Sequence, residues 1–327
     1  MSAEADILDV AIIGAGPTGL ACAIETQRRG LSHVVIEKGC ITNSIFHFPS
    51  QMVFFTTPEL LEIGDLPLVC SREKPSRHEG LKYYRKVVQA FGLNVHQFEE
   101  VDEVGKSGGH FFKVCTTHGA YTSRNVVIST GYYDNPNLLG VPGEDLPHVS
   151  HYYREAHPFF GRNVVVVGGK NSAVEAALDL FRSGARVTLV HRGAEIGKTV
   201  KYWIKPDIEN RISRNEIRAY FNAHLLDIRE ASVRIDQNGN SIEIPTEHVF
   251  ALTGYHPSTK LFAQLGVTYD NDTLRPTIDP ETYETNIPGV YVAGSIVAGR
   301  QNGEIFIENG RFHGQVVAGA IAARSRR

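Results

Sequence analysis

Residues 9–37 read DVAIIGAGPTGLACAIETQRRGLSHVVIE, and they carry the strongest structural signal in the chain. The apolar run at the start is typical of a buried parallel strand, and GAGPTG is a Gly-x-Gly-x-x-Gly turn. The residues after the turn have the pattern of an amphipathic helix, which Gly30 ends. Val34–Ile36 form a second strand that stops at Glu37. Strand, glycine turn, helix, strand and acid in this order predict a dinucleotide-binding βαβ unit.

The glycines of this turn each have a mechanical reason. Gly14 allows a tight turn, Gly16 lets the backbone approach a pyrophosphate, and Gly19 lets the helix pack closely on the strand. The helix N-terminus offers unpaired N–H groups and a positive dipole end to phosphate. Glu37 is expected to accept hydrogen bonds from a ribose diol. We expect FAD to bind here, at Gly14, Gly16, Pro17, Thr18, Gly19, Glu37 and Lys38.

Residues 163–193 repeat the same pattern of strand, turn, helix and strand. Gly168 and His191 align with the first glycine and the acid of the first unit, at one constant offset and without a gap. Lys170 stands where the first unit has its middle glycine. Its side chain is expected either to obstruct a pyrophosphate or to neutralise it. The repeat predicts two dinucleotide units in one chain.

The residues at the end of the second strand distinguish the two cofactors. In the first unit, Glu37 would repel a 2′-phosphate and therefore suits FAD. In the second, His191 and Arg192 are expected to place positive charge at the same point, which suits the 2′-phosphate of NADPH. The predicted NADPH contacts are Gly168, Lys170, Asn171, Ser172, Ala173, His191, Arg192 and Lys198.

Three further segments are expected to border the cofactors. Residues 125–131 (NVVISTG) and 249–254 (VFALTG) are apolar strands that end in small residues, and residues 287–294 (IPGVYVAG) are a turn and a buried strand. A helix is predicted from about Glu308 to Ala323, with its positive end aimed at the pyrimidine edge of a reduced flavin. The remaining predicted cofactor contacts are Gln51, Thr56, Thr130, Gly131, Gly254, Gly294, Ser295, Glu304 and Ile305.

The two units predict an α/β protein with two Rossmann-like dinucleotide-binding domains. Residues 1–131 and 252–327 are expected to form a discontinuous FAD domain. Residues 132–251 are expected to form an NADPH domain inserted into it. The first crossing falls in residues 132–143, which are rich in Pro, Asn and Gly, as domain boundaries often are.

Composition narrows the classes of function. The chain has 327 residues, of which 42% are apolar and 21% charged, as in folded globular proteins. Its net charge of −3 argues against a nucleic-acid partner. The sequence contains neither a long apolar run nor a secretion signal, so a cytoplasmic protein without a membrane partner is expected. It contains no Cys-x-x-Cys and no metal-ligand spacing of histidines, so no metal site is expected.

The whole chain resembles the low-molecular-weight thioredoxin-reductase-like flavoproteins. The resemblance is carried by GAGPTG at Gly14, GGKNSAVEAA at Gly168 and NIPGVYVAG at Asn286. Within that group the chain is similar to the YpdA family of bacillithiol disulfide reductases. The specific segments are FFTTPELLEIGDLPL (54–68), SHYYREAHPFF (150–160), VKYWIKPDIENRI (200–212) and EIFIENGRFHG (304–314).

This resemblance implies NADPH-dependent, FAD-mediated reduction of a low-molecular-weight thiol disulfide. The partner would be a small-molecule disulfide or a small redox protein, and the family implies a homo-oligomer. Three departures matter. The dithiol of thioredoxin reductases aligns with Tyr153 and Ala156, so thioredoxin reduction by that route is excluded. Many YpdA-like proteins have a cysteine where this chain has Thr18, and the usual C-terminal Gly-Asp is Gly294-Ser295 here.

A disulfide acceptor requires a proton source for the leaving thiolate. The candidates near the expected flavin face are His313, Glu308 and Glu304, and Thr18 occupies the position of the family cysteine. Cys22 is expected to be a small core residue rather than a shuttle, because a buried thiol is inert. Two other functions stay open at this point. They are a ferredoxin or flavodoxin NADP reductase of the thioredoxin-reductase-like type and, with less support, a flavin monooxygenase.

Overall fold

A computed structural model describes residues 7–325, which form two compact units. Within this range the first unit comprises residues 7–46, 52–135 and 255–325, and the second comprises 47–51 and 136–254. The second unit is thus inserted into the first. No helix in the described part of the chain is long and apolar enough to span a membrane.

The structure contains short strands and helices that alternate along most of the chain. The strands are β1 (Leu8–Ile13), β2 (His33–Glu37), β3 (Val95–Gln97), β4 (Val101–Ser107), β5 (Phe111–Thr116), β6 (Gly119–Ile128), β7 (Val149–Ser150), β8 (Asn163–Val167), β9 (Arg186–Val190), β10 (Arg218–Tyr220), β11 (Ala223–Ile228), β12 (Ser232–Gln237), β13 (Asn240–Pro245), β14 (His248–Ala251) and β15 (Val290–Val292). The α-helices are α1 (Pro17–Arg28), α2 (Asn43–His47), α3 (Pro58–Leu61), α4 (Arg77–Phe91), α5 (Asn171–Arg182), α6 (Lys205–Ser213), α7 (Lys260–Leu265), α8 (Ile307–Gly310) and α9 (His313–Ser325). Two 3₁₀ turns lie at His157–Phe159 and Ser295–Ala298.

The first unit is built on one seven-stranded sheet with the order β3-β2-β1-β6-β5-β4. Strands β3, β2, β1 and β6 run parallel, whereas β4, β5 and the first half of β6 form an antiparallel meander. Strand β15 pairs in parallel with the last three residues of β6. The carboxyl ends of β1, β6 and β15 therefore meet at one edge, where open α/β sheets bind their ligands.

The second unit has a five-stranded parallel sheet with the order β10-β9-β8-β14-β7. A separate antiparallel sheet of β11, β12 and β13 packs beside it through an apolar cluster that includes Val165, Ile235 and Val249. Helix α5 covers the opposite face, where Val174 and Leu180 are fully buried. The predicted α/β class with two Rossmann-like units is confirmed.

The helices follow the signals that their sequences carry. Pro17 is the first residue of α1, where its missing N–H costs nothing. Helix α4 begins with a reciprocal capping box between Ser76 and Glu79. It ends at Gly92, whose left-handed φ of 59° suits glycine. These local signals explain why most of the predicted elements lie within a few residues of the observed ones.

Two predictions about the architecture require correction. Residues 47–51 group with the second unit rather than the first, because the Ser50 N–H donates to the Arg154 carbonyl and Arg154 also bonds His47. The C-terminal helix predicted from Glu308 is two helices. The Phe312 N–H bonds back only three residues, to the Asn309 carbonyl, which breaks the α-helical ladder between α8 and α9.

Candidate cofactor-binding and reaction site

The first glycine turn leaves β1 at the carboxyl edge of the sheet. Gly14 has a φ of +106°, and a Cβ there would lie 2.6 Å from the Ser129 carbonyl oxygen. A Cβ on Gly19 would lie 2.0 Å from the Gly14 carbonyl oxygen. The Ser129 hydroxyl donates to the carbonyls of Ile13 and Gly14 and so fastens the turn to the end of β6. Gly14 and Gly19 are therefore required by the fold itself.

Gly16 differs from its two neighbours in the motif. A Cβ on Gly16 would meet nothing within 4 Å in the described protein. Gly16 also caps α1, and no described side chain bonds the amides of that helix end. The first N–H groups of a helix lack internal partners and attract anions. The position that a Cβ would take on Gly16 and the uncapped helix end therefore fit the pyrophosphate that the sequence predicts there, with Pro17 and Thr18 half-buried beside it.

Glu37 ends β2 and is buried, with 7% of its surface exposed. Its carboxylate accepts the N–H groups of Ala15 at 2.8 Å and Gly39 at 2.9 Å. Burial raises its pKa, although the two backbone donors oppose that shift. Lys38, the other predicted contact, forms an ion pair with Asp134 at 3.0 Å. The carboxylate thus ties the glycine turn to the end of β2, and its contact with a ribose diol stays a prediction.

The second glycine turn has the same course with fewer glycines. Gly168 has a φ of +142°, and a Cβ there would lie 2.5 Å from the Leu252 carbonyl oxygen. Ala173 takes the third glycine position and is fully buried. Lys170, at the middle position, is exposed and extended (φ −104°), so that position does not demand glycine. Helix α5 also begins without a capping side chain among the described residues, which fits a second phosphate site.

His191 does not carry the positive charge that the sequence suggested. Its ring lies against the backbone, because a Cβ on Gly169 or Gly193 would come within 2.6 Å of ring atoms. Burial and the neighbouring Arg192 lower the pKa of this imidazole, which is therefore neutral at pH 7. Arg192 is exposed. Of this pair, only the arginine therefore fits the positive charge expected for a 2′-phosphate, and that contact stays a prediction.

Residues 197–201 fold over the start of α5. The Gly197 N–H donates to the Gly169 carbonyl at 2.9 Å. The Asn171 side chain donates to the Thr199 carbonyl at 3.3 Å and accepts the Lys201 N–H at 2.9 Å. Asn171 thus holds the loop rather than standing open to a ligand. Two other predicted contacts, Ser172 and Lys198, are exposed near that loop.

Thr18 lies where three segments of the first unit meet. Its Oγ1 is 3.1 Å from the position that a Cβ would take on Gly294. The same oxygen is 3.1 Å from the corresponding position on Gly310. Thr18 is half-buried on the first turn of α1, between the turn after β15 and helix α8. The close approach of Thr18 explains why both positions are glycine. Gly310 is the sequence clue to this contact, since a glycine within a predicted helix indicates close packing.

His313, the first candidate acid, is a buried neutral histidine. It is 5% exposed, and burial lowers its pKa to about 4. Its Nδ1 accepts the Gly294 N–H at 3.1 Å. The Tyr283 ring stacks on the imidazole at a centroid distance of 4.2 Å. An imidazole whose Nδ1 is an acceptor at pH 7 is not a cationic acid, so the predicted role does not fit this arrangement. Tyr283 was missed because nothing local links it to His313.

The two candidate glutamates lie on the segment that leads to α9. Glu304 is exposed and forms an ion pair with Arg275. Glu308 is half-buried on α8, which has only four residues, so the helix dipole predicted there is small. Ile305 packs near Gly310, with its Cγ2 at 3.2 Å from the position of a Cβ on that glycine. The structure therefore brings Ile305, not Glu304, close to the place where Thr18, Gly294 and Gly310 meet.

The Gln51–Thr57 segment is divided between the two units. Gln51 is exposed and belongs to the second unit, so its contact with a flavin stays a prediction. Phe54 is buried with its ring 2.8 Å from the Cβ position of Gly80 on α4, which makes it a core residue. Phe55 contacts Phe306 edge to face at 5.6 Å. Thr56 is half-buried next to it.

The remaining predicted contacts lie after strand ends. Thr130 and Gly131 follow β6, and Gly131 has a φ of +69°. The Ser295 Oγ lies 3.6 Å from the position of a Cβ on Gly131, so these two segments adjoin at the carboxyl edge. Gly254 follows β14 in the second unit, with a φ of +93° and the Asn137 amide nearby.

The thiols offer no reactive group at this edge. All four cysteines, Cys22, Cys40, Cys70 and Cys115, are free. Cys22 lies one turn after Thr18 on α1, but it is 1% exposed and burial raises its pKa to about 12. The Cys40 pKa is also raised, mainly by burial. Cys22 is a core residue, as predicted. Within residues 7–325 no group of His, Cys, Asp and Glu side chains is arranged to hold a metal ion.

Comparison with known proteins agrees with this architecture. The profile of the family described as pyridine nucleotide-disulphide oxidoreductase matches residues 11–294. The bacilliredoxin reductase Bdr of Bacillus subtilis (strain 168) is 47% identical over 315 residues, which cover 96% of this chain and 97% of that protein.

Two solved structures are also similar over nearly the full length. Bacillithiol disulfide reductase Bdr (YpdA) from Bacillus cereus is 45% identical with a TM-score of 0.95, covering 98% of this chain and 100% of that one. The protein of the same name from Staphylococcus aureus is 42% identical with a TM-score of 0.94, covering 98% and 99%.

These similarities confirm three predictions from the sequence: the YpdA resemblance, an oxidoreductase, and FAD and NADPH as the cofactors of a thioredoxin-reductase-like flavoprotein. The match spans both glycine turns, from residue 11 to residue 294. The chain belongs to the pyridine nucleotide-disulphide oxidoreductase family and, within it, to the Bdr (YpdA) group.

Proposed function

We propose that this protein is an FAD-containing, NADPH-dependent reductase of a low-molecular-weight thiol disulfide of the bacillithiol disulfide class. The observation that carries the proposal is its identity of 42–45%, over nearly the whole chain, to structures named bacillithiol disulfide reductase. The overall reaction is balanced by one NADPH and one proton, which convert one disulfide into two thiols and NADP⁺. FAD, when bound, supplies the chemistry of hydride acceptance from NADPH and two-electron delivery to the disulfide.

The residues of the first unit divide the binding of FAD among them. The N-terminus of α1 and the backbone at Gly16, which carries no side chain, would receive the pyrophosphate. Glu37 accepts from the ribose, and Ser295 beside Gly131 borders the ribityl chain. These assignments agree with the position of all four segments at the carboxyl edge of the parallel strands.

The residues of the second unit bind NADPH in a parallel way. The uncapped start of α5 receives the pyrophosphate, and Arg192 pairs with the 2′-phosphate. The neutral His191 ring covers Gly169 and shapes the wall of the site. Asn171 holds the loop of residues 197–201 over the same helix end.

Thr18 defines how the disulfide is handled in this chain. A hydroxyl does not form a mixed disulfide, so the substrate disulfide is reduced without a covalent protein intermediate at this position. The Thr18 hydroxyl donates a hydrogen bond to the departing thiolate and so lowers the cost of its negative charge. The inert Cys22, with its pKa of about 12, does not replace the missing thiol.

The central experiment is anaerobic reduction of the holoenzyme with one equivalent of NADPH, followed by rapid mixing with bacillithiol disulfide. We expect the flavin absorbance to return as two thiols appear per NADPH, measured with a thiol reagent. Glutathione disulfide serves as the matched control for specificity. Reoxidation by ferredoxin or oxygen, with none by either disulfide, would contradict the proposal and favour one of the two other enzyme classes.

A matched series at Thr18 tests the role of the hydroxyl. Thr18→Ser keeps the hydroxyl, whereas Thr18→Val keeps the shape and removes it. We expect kcat of Thr18→Val to fall about tenfold and that of Thr18→Ser to stay within about twofold, because one hydrogen bond to a charged sulfur is lost only in Val. Thr18→Cys should raise turnover if the family cysteine is catalytic. Equal rates for Ser and Val would remove the hydroxyl from the reaction.

The oligomeric state and the cellular location of the protein have simple tests. The family resemblance implies a homo-oligomer, which light scattering of the purified holoenzyme measures directly. We also propose a cytoplasmic enzyme, which fractionation of cells that express the full chain checks. The name of the Bacillus subtilis relative adds a bacilliredoxin as a second acceptor to compare with the free disulfide in the same assay.

A further inference from the structure

We propose that His313 is a positioning residue that holds the Gly294 turn in the shape that FAD binding requires. This inference rests on the proposed function in so far as it assumes that FAD binds the first unit. It replaces the role of proton donor for this histidine with a role as a hydrogen-bond acceptor. The argument has three parts: the conformation of the turn, the fixation of the imidazole, and the place of the turn at the carboxyl edge.

The turn after β15 has a backbone shape that needs support. Gly294 has φ +81° and ψ −159°, a region that is almost exclusive to glycine. Its N–H is buried, and a buried backbone donor must find an acceptor. The His313 Nδ1 at 3.1 Å is that acceptor. A side chain 19 residues further along the chain thus completes the hydrogen bonding of the turn.

The imidazole is held so that its acceptor nitrogen faces the turn. Tyr283 stacks on it with an interplanar angle of 23°. The Tyr283 carbonyl in turn accepts the Val292 N–H at 3.1 Å, which ties the stacking ring to β15 itself. Because His313 is 5% exposed and neutral, the Nδ1 lone pair is available at physiological pH. Tyr283, His313 and Gly294 form one small structural assembly.

The held turn adjoins two other predicted FAD contacts. Thr18, at the start of α1, lies 3.1 Å from the Cβ position of Gly294. Ser295 lies 3.6 Å from the Cβ position of Gly131, at the end of β6. A shift of the Gly294 turn would therefore change its distance from Thr18 and move Ser295 relative to Gly131. Through its hydrogen bond to the Gly294 N–H, His313 fixes this turn from α9.

Two substitutions separate the acceptor from the ring. His313→Phe keeps a ring that can stack on Tyr283 but has no acceptor. His313→Asn loses the ring but places its Oδ1 close to the former Nδ1. We expect FAD to bind about tenfold more weakly to the Phe variant than to the wild type, and within about threefold of wild type to the Asn variant. The dissociation constants are measured on apoprotein by the quenching of FAD fluorescence.

A further variant keeps the test decisive if the Phe protein does not fold. His313→Gln places its acceptor near the former Nε2 instead, so it should bind FAD like the Phe variant although its polarity matches Asn. Equal FAD affinity of the Gln and Asn variants would overturn the inference. Failure of the proposed function would give a different result, because the wild-type protein itself would then take up no FAD.

Discussion

The two glycine turns of this protein follow the same course, yet they need different numbers of glycines. In the first, a Cβ on Gly19 would lie 2.0 Å from the Gly14 carbonyl oxygen, so the helix touches the turn directly. In the second, Ala173 occupies the corresponding position with its methyl group fully buried. The first helix therefore lies closer to its strand than the second does. A glycine at the third position of the motif therefore indicates how closely the helix packs on the strand. It does not indicate whether a nucleotide binds.

The middle position of each turn shows a different contrast. A Cβ on Gly16 would meet no described protein atom within 4 Å, whereas Lys170 has a long, exposed side chain at the corresponding position. Neither residue has a positive φ, so the backbone alone requires glycine at neither point. The difference must therefore concern what approaches the turn from outside. A close pyrophosphate explains the glycine, and a cationic side chain suits a phosphate that binds further away.

Exchanging glycine and alanine at the third positions of the two turns should have the largest effect on stability and FAD binding. Gly19→Ala should destabilise the protein by about 3 kcal/mol or more and abolish FAD binding, because the new Cβ overlaps the Gly14 carbonyl. Ala173→Gly, the matched change in the second turn, should cost about 1 kcal/mol and leave FAD content unchanged. Urea unfolding and flavin absorbance measure both. Similar costs for the two variants would show that the helices are equally close to their strands.

Acid should weaken both units through one buried histidine in each. Burial lowers the pKa of His313 to about 4, and burial together with His148 lowers that of His248 to about 4. A histidine with a lowered folded pKa costs stability as pH falls below its unfolded value of about 6.5, until the folded pKa is reached. We expect a loss on the order of 2 kcal/mol for His313 between pH 6.5 and 4, and a smaller loss for the more exposed His248, whose charge solvent screens.

Urea unfolding at pH 7, 5.5 and 4.5 measures this loss. His248→Gln serves as the control for the second unit and His313→Asn for the first, because neither replacement titrates in this range. Each variant should flatten part of the pH dependence. Curves that run parallel to the wild type would assign the acid sensitivity to other groups.

A methyl group at the middle of the first turn should separate binding from folding. Gly16→Ala should leave the melting temperature of the apoprotein within about 2 °C of wild type, since its Cβ meets no protein atom within 4 Å. FAD affinity should fall by more than about tenfold, because the methyl group occupies the space proposed for the pyrophosphate. Lys170→Ala in the second turn is the counterpart and should change FAD affinity little. Unimpaired FAD binding to Gly16→Ala would place the pyrophosphate elsewhere.

The smallest of these effects concerns the choice of nicotinamide cofactor. Arg192→Ala should reduce the preference for NADPH over NADH by about tenfold, because the charge expected at the 2′-phosphate is lost. His191→Ala should change the ratio by less than about threefold, because that imidazole is neutral. The ratio of kcat/KM values for flavin reduction gives the answer. A larger effect at His191 than at Arg192 would reverse the assignment.

Much of the fold could be predicted from short stretches of sequence. The strands and helices around Gly14 and Gly168 were identified within a few residues, because alternation, periodicity and helix-ending glycines act locally. The split of the C-terminal helix and the transfer of residues 47–51 to the second unit were not predicted. Both depend on hydrogen bonds to atoms that local patterns do not specify, such as that between Ser50 and Arg154.

The candidate site was predicted less completely than the fold. The sequence placed Thr18, Gly294 and His313 in one region and named His313 as a candidate proton donor, but it did not show that burial lowers the pKa of this histidine to about 4. It also assigned a positive charge to His191, whose ring is half-buried against Gly169. Burial lowers both pKa values, and burial results from contacts with segments that are distant in the sequence. The spacing of residues along the chain does not show these contacts.

The order of residues alone was sufficient to establish two dinucleotide units, their cofactors and the absence of the thioredoxin-reductase dithiol, because each depends on residue types at fixed short spacings. The tertiary structure was needed for the junction of Thr18, Gly294 and Gly310, and for the stack of Tyr283 on His313. Thr18 is separated from the other four residues by most of the chain, and the packing of α9 on α1 and of β15 on β6 brings it next to them.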